Sequence, residues 1–175
     1  AIEAGQPDIS KITLSLSSFY RTSLNKGKNV IELSGEIQNI RSYLDIQLML
    51  HDDGFDVELD VDEDTLKYTI PNLVLQPLVE NAIKHGLMGL ESGGIVKISS
   101  YESDNYYEVC VKDNGVGFDE SVFDDGKKHV GIKNIRGRIE AMCGGELTIE
   151  SEIGKGTKAT RRIPKEATEN DSNHS

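Results

Sequence analysis

Leu75-Gln76-Pro77-Leu78-Val79-Glu80-Asn81-Ala82-Ile83-Lys84-His85 decides how the rest of the chain is read. On a helix, at about 100° per residue, Leu75, Leu78, Val79, Ala82 and Ile83 share one apolar arc. Glu80, Asn81, Lys84 and His85 share the opposite arc as i,i+3 and i,i+4 neighbours. A carboxylate, an amide, an ammonium and an imidazole thus meet on one patch. Such a set orients a nucleophile, holds a hard cation and meets phosphate oxygens. Taken alone, the segment reads more readily as a solvated face with one Glu–Lys pair. The helix is expected over 71–87, which puts Pro77 in its interior, where proline costs about 3 kcal/mol or kinks the axis.

Further along, Asp113-Asn114-Gly115-Val116-Gly117-Phe118 leaves an alternating strand that ends at Val111. Two glycines at i,i+2 let backbone approach a ligand closely, and an aspartate at a strand end accepts from an amino group. A plain turn is the alternative, but a long aperiodic loop to Val130 follows instead of an immediate strand. Gly131-Ile132-Lys133-Asn134 opens a helix expected to run to about Met142, with free N–H groups and a cation suited to an anion. Gly154-Lys155-Gly156-Thr157 joins two last strands that end at Pro164. Each motif singly has a bland structural reading.

Upstream, Ile9, Ile12, Leu16 and Phe19 are spaced as in a coiled-coil seam, predicting a helix over 8–25. A second helix starts near Ser34, read as its N-cap, with Glu36 at the positive end of its first turn. Ile37, Ile40, Leu44 and Leu48 line its apolar side. Phe55, Val57, Leu59 and Val61 alternate as a half-buried strand. Ile95 to Ser99 and Tyr107 to Val111 form a hairpin turning at Asp104-Asn105. The order of elements does not alternate βαβα. It predicts an α+β, two-layer sandwich: a mixed, mostly antiparallel sheet with helices on one face, plus an N-terminal helix.

The 175 residues carry 19 Lys and Arg against 30 Asp and Glu, a net charge of −11. That balance excludes a duplex-binding module, which needs clustered cations. No apolar run approaches the about 20 residues of a membrane span, and the polar stretch Ala1 to Ser10 does not read as a secretory leader. The two cysteines, Cys110 and Cys143, form no metal spacing and are read as reduced core thiols. The chain begins at Ala1, so a longer parent is expected. Its parts are expected to be 1–30, a remnant of a dimerisation helix, 31–164, a catalytic domain, and 165–175, a disordered tail.

The order and spacing of these motifs resemble the GHKL ATPase superfamily and, within it, sensor histidine kinases. Leu75 to Gly86, Phe19-Tyr20-Arg21-Thr22-Ser23-Leu24 and Tyr43-Leu44-Asp45-Ile46-Gln47 are especially similar to the LytS-like subgroup. The resemblance spans roughly residues 8–164 and implies a Bergerat-type fold that binds ATP and Mg²⁺. It implies that Glu80 assists the chemistry as a base or polarising group and that Asn81 ligates the metal. Lys84 and His85 then face the phosphates, and Asp113 accepts from the adenine amino group. Gly115 and Gly117 line the adenine, Gly131, Ile132 and Lys133 meet the phosphates, and Thr157 closes the adenine pocket. Asn114 to Val130 would be a lid.

It further implies a parent that dimerises through a helical bundle, phosphorylates its own histidine and passes the group to a response regulator. This part would lie in the cytoplasm below a membrane anchor. No contact with nucleic acid or membrane is implied for the chain itself. Three departures stand out. His129 replaces the first glycine of the second glycine segment. Leu48-Met49-Leu50-His51 lacks the basic residue common in the subgroup. None of the four histidines, His51, His85, His129 and His174, lies in a phosphoacceptor phrase, so the chain is expected to bind ATP without labelling itself. The alternatives are a nucleotide-binding pseudokinase scaffold, for which His129 argues, and another GHKL activity of the topoisomerase, chaperone or mismatch-repair kind.

Overall fold

The computed structural model of the protein describes residues 30–51, 54–119 and 145–165. The expected helices over 8–25 and 131–142, His129, Cys143 and the tail beyond Lys165 lie outside them. In chain order the elements are β1 (Val30–Glu32), α1 (Leu33–Leu50), β2 (Phe55–Asp60), β3 (Thr69–Pro71) and α2 (Leu75–Asn81). They continue with β4 (Gly94–Glu102), β5 (Tyr106–Asp113), β6 (Glu146–Glu152) and β7 (Gly156–Pro164).

The main sheet has five strands in the order β2-β4-β5-β7-β6. Only β2 and β4 run parallel; the other three pairs are antiparallel. The alternation read from sequence sets its two faces. Val96 and Ile98, Tyr107, Val109 and Val111, Ala159 and Ile163, and Leu147 all point to one buried face. There they join Ile37, Ile40 and Leu44 of α1 and Leu75, Leu78 and Val79 of α2 in a single core. The opposite face carries polar and charged side chains, with cross-strand pairs such as Glu108–Arg162 and Glu150–Lys158. The two-layer expectation therefore holds for the described residues. Arg161 is a charged member of the buried face, a placement that the strand alternation requires whatever the residue type.

Several local expectations are corrected. Cys110 is free but sits on the open face of β5, half-buried, so it is not a core thiol. Ser34 does not cap α1: its hydroxyl donates to the Glu32 carboxylate. The first amides of α1, at Leu33 and Ser34, donate instead to the carbonyls of Tyr68 and Leu66. Those carbonyls are placed by a small two-stranded sheet, β1 against β3, that three-residue strands leave invisible to periodicity. The helix expected from residue 71 begins at Leu75, so Pro77 falls in its first turn. There the missing N–H is one that the helix would leave unpaired, and the proposed strain disappears.

Candidate functional site

After Asn81 the α-helix widens into a π-turn, Ala82–Gly86, and tightens into a 3₁₀ turn, Leu87–Gly89. The Leu87 N–H donates to the carbonyls of Ala82, five residues back, and Ile83. Such wide turns occur mostly as single bulges, frequently at functional sites. The two arcs survive the change in pitch. Leu75, Leu78, Val79, Ala82 and Ile83 are buried, Glu80 and Asn81 are half-buried, and Lys84 and His85 are exposed.

Glu80 is held from two sides. Gln76 Nε2 donates to Oε1 at 2.8 Å, and Lys84 Nζ lies 3.5 Å from Oε2. Tyr43 of α1 packs close enough that burial first, and the Glu80 charge second, push its hydroxyl up to about 12. Among the described residues no three His, Cys, Asp or Glu side chains gather as a metal cage.

The second half of the site starts where β5 ends. Asp113 is 4% exposed. Its Oδ1 accepts the N–H of Gly115 at 2.9 Å and that of Thr157 at 3.3 Å. Burial pushes this carboxyl above its ordinary range, and the two amides pull it partly back. Among the described residues both bonds fall on Oδ1, which leaves Oδ2 to accept from a ligand. Asn114 fastens the loop to the start of β4: its Oδ1 accepts the Ile95 N–H and its Nδ2 donates to the Gly93 carbonyl. Thr157 Oγ1 lies 2.9 Å from Ser151 Oγ, which in turn accepts the Phe118 N–H. Residues 114–118, expected as the start of a lid, are thus pinned as part of the floor.

Glycine is required at Gly115 and Gly117, as it also is at Gly156. A Cβ on Gly115 would stand 2.2 Å from the Gly86 carbonyl carbon. Gly117 has a φ of 61°, and its Cβ would meet the Glu152 carbonyl oxygen at 2.0 Å. Between the halves, the Val116 N–H donates to the Gly86 carbonyl at 3.0 Å. Gly86 is therefore the joint that brings the 80–85 patch beside Asp113, Gly115, Gly117 and Thr157. Gly131, Ile132 and Lys133 lie outside the described residues.

Sequence reasoning singled out no role at the site for Gly86, Ser151 or Tyr43. The i,i+2 glycine signal around Gly115 pointed to close backbone contact, but the contacting residue, 29 positions earlier, carries no local mark.

The family model described as histidine kinase-, DNA gyrase B- and HSP90-like ATPase matches residues 67–167. The chain belongs to that ATPase family. A second model, described as histidine kinase, matches residues 1–55. The sensor histidine kinase YesM of Bacillus subtilis is 33% identical over 162 residues, which is 91% of this chain and 28% of that protein. The sensor protein LytS of Bacillus anthracis is 33% identical over 172 residues, 91% of this chain and 29% of that protein. This chain thus spans under a third of either relative. The histidine kinase domain of the Erythrobacter litoralis EL346 blue-light activated histidine kinase superposes with a TM-score of 0.63 at 20% identity. The match covers 93% of this chain and 77% of that one. The matched model is that of an ATPase domain, and nucleotide binding goes with that family.

Proposed function

We propose that the chain is the ATP-binding catalytic part of a LytS-like sensor histidine kinase. In this reading the longer protein moves the γ-phosphoryl of ATP to one of its own histidines and then to a response-regulator aspartate. The observation that carries it is the Asp113 carboxylate, with one oxygen tied to two backbone amides and the other left to recognise an amino group. It sits one hydrogen bond, through Gly86, from the Glu80–His85 patch. The similarity to sensor kinases over 91% of the chain supports the same reading.

Asp113 would accept from the adenine amino group while Gly115, Gly117 and Thr157 close around the ring. Asn81, half-buried beside the exposed Lys84 and His85, is an oxygen donor of the kind a hard cation takes. A bound Mg²⁺ held there would neutralise phosphate charge. The lack of a carboxylate cage among the described residues suits an ion that keeps its waters and leans on substrate phosphates. Glu80, positioned by Gln76 and Lys84, would polarise the attacking group. Gly131, Ile132 and Lys133 are proposed to meet the phosphates.

Residues 1–30 are proposed as a dimerisation-helix remnant, 31–164 as the catalytic domain and 165–175 as a tail. No described helix is long and apolar enough to cross a membrane; a membrane-anchored parent with this part in the cytoplasm is part of the proposal. The test has two stages. A fluorescent ATP analogue should bind with Mg²⁺ present and raise the melting temperature by mass action. Label should then pass from ATP to a longer chain restoring the upstream helix. Absence of binding at millimolar nucleotide rejects the site. Binding without transfer points to a pseudokinase scaffold.

A further inference from the structure

Glu36 is the one carboxylate among the described residues with no exposure at all. From sequence alone its expected role is confined to the positive end of its own helix. Its side chain instead crosses to α2. Oε1 accepts the N–H groups of Val74 at 2.8 Å and Leu75 at 2.9 Å, and Oε2 accepts that of Leu73 at 3.1 Å. Leu73 has a φ of 56°, the sole positive φ of a non-glycine residue described. Val74 follows with φ −101° and ψ −34°. A left-handed residue followed by a right-handed one aims successive amides at one point, which is how backbone builds an anion cradle. Here a side chain of the same chain fills the cradle. Leucine in that region is strained by about 1–2 kcal/mol, and the carboxylate is what the strained backbone turns toward.

The consequence for the site is geometric. α2 runs seven residues before its pitch changes at Ala82, so where it starts sets where Glu80 and Asn81 lie. From Leu75 to Asn81 it spans six steps, about 9 Å, so a tilt of about 10° at its start carries Asn81 about 1.6 Å sideways. Errors near 1 Å in a reacting constellation cost up to about a hundredfold. Two turns further along α1, Tyr43 meets the field of Glu80. One helix therefore touches both ends of the segment that presents the polar patch. Glu36 lies in the stretch matched by one family model, 1–55, and its partners lie in the stretch matched by the other, 67–167.

We propose that Glu36 is a positioning residue, whose carboxylate, clamped by the amides of residues 73–75, sets where α2 begins and so aligns Glu80 and Asn81 for a Mg²⁺-bound nucleotide. This rests on the nucleotide reading above. The test uses the full chain and a fluorescent ATP analogue, titrated with and without Mg²⁺, alongside thermal melts. Glu36→Gln keeps the shape but puts an NH₂ donor where Oε2 accepts the Leu73 N–H, so the three amides can no longer all be held. It is expected to lose at least fivefold in affinity for the analogue with Mg²⁺, while Mg²⁺-free binding of the analogue changes less than twofold. Adding Leu73→Gly, which relaxes the left-handed residue, is expected to recover part of that loss.

A folded Glu36→Gln with wild-type Mg²⁺ dependence overturns the proposal. So does an equal loss with and without Mg²⁺, which would mark a general structural role. Should Glu36→Gln not fold, Glu36→Asp carries the same comparison, and failure of both to fold assigns Glu36 to the fold instead of the site. Failure of the wild-type chain to bind at all rejects the nucleotide reading itself, a separate result.

Discussion

Replacing Asp113 by Asn separates recognition from stability because the two are expected to move in opposite directions. In the wild type, Oδ1 accepts from Gly115 and Thr157, and Oδ2 is proposed to accept from the adenine amino group. An asparagine can keep the first two bonds only by turning its single oxygen inward. Its NH₂ then faces the adenine amino group, donor against donor. The lost charge-assisted bond is worth about 1.5–3 kcal/mol. At about 1.4 kcal/mol per tenfold, affinity for an adenine nucleotide falls about 10–150-fold. The fold should not suffer, because burial already disfavours the charged form at this position. The melting temperature of the unliganded chain is expected to stay level or rise. Fluorescent-analogue titration with GTP as competitor reads the first effect, since an outward NH₂ suits the guanine carbonyl. Calorimetry reads the second. Adenine-nucleotide affinity within twofold of wild type, in a folded variant, would refute the assignment of Asp113.

Three further outcomes follow from the same geometry. Gly115→Ala forces a contact of 2.2 Å out to about 3.4 Å, breaking the Val116–Gly86 bond and the Gly115–Asp113 bond; about 2–4 kcal/mol of stability should be lost, seen as a lower denaturation midpoint with unchanged slope. Asn81→Ala should abolish the gain in nucleotide affinity on adding Mg²⁺ while leaving Mg²⁺-free binding intact, which calorimetric titration in the two buffers checks. The raised pKa of Asp113 gives the pH dependence. Protonation competes with the adenine amino group, so affinity should fall on acidification at a midpoint above the ordinary aspartate value of about 3.9. The stability contribution runs the other way: it is present below the unfolded pKa and lost as pH rises through the folded one. Titration of affinity and melting temperature over the same range should show these opposed slopes.

What the sequence makes legible is whatever has a local period or a local residue type. The strand alternation at Ile95–Ser99 and Tyr107–Val111 assigns both faces of the sheet, and the glycines after Asp113 announce a close approach. Contacts between distant segments are another matter. Glu36 is 37 to 39 residues from its three amides, so the only partner visible in sequence is its own helix end. Ser34 has the residue type of a cap, but the carbonyls of Leu66 and Tyr68 already hold the amides it would serve. Pro77 looked strained only because the helix was begun four residues early, at Pro71, which instead ends β3 opposite Val30. The π-turn at Ala82–Gly86 has no residue signature. It goes with the Val116 bond to Gly86, which arrives from 30 residues away.

That web of bonds also sets the timescale on which the floor of the site can move. The amides of Asn114, Gly115, Val116 and Phe118 donate to the Ile95 carbonyl, Asp113 Oδ1, the Gly86 carbonyl and Ser151 Oγ. A loop by shape, this stretch should exchange its hydrogens like a strand, opening only when β4 and β5 open with it. A peptide covering residues 113–118 would then be as silent in deuterium uptake as one from β5. A ligand that needs this floor to rearrange must break these four bonds.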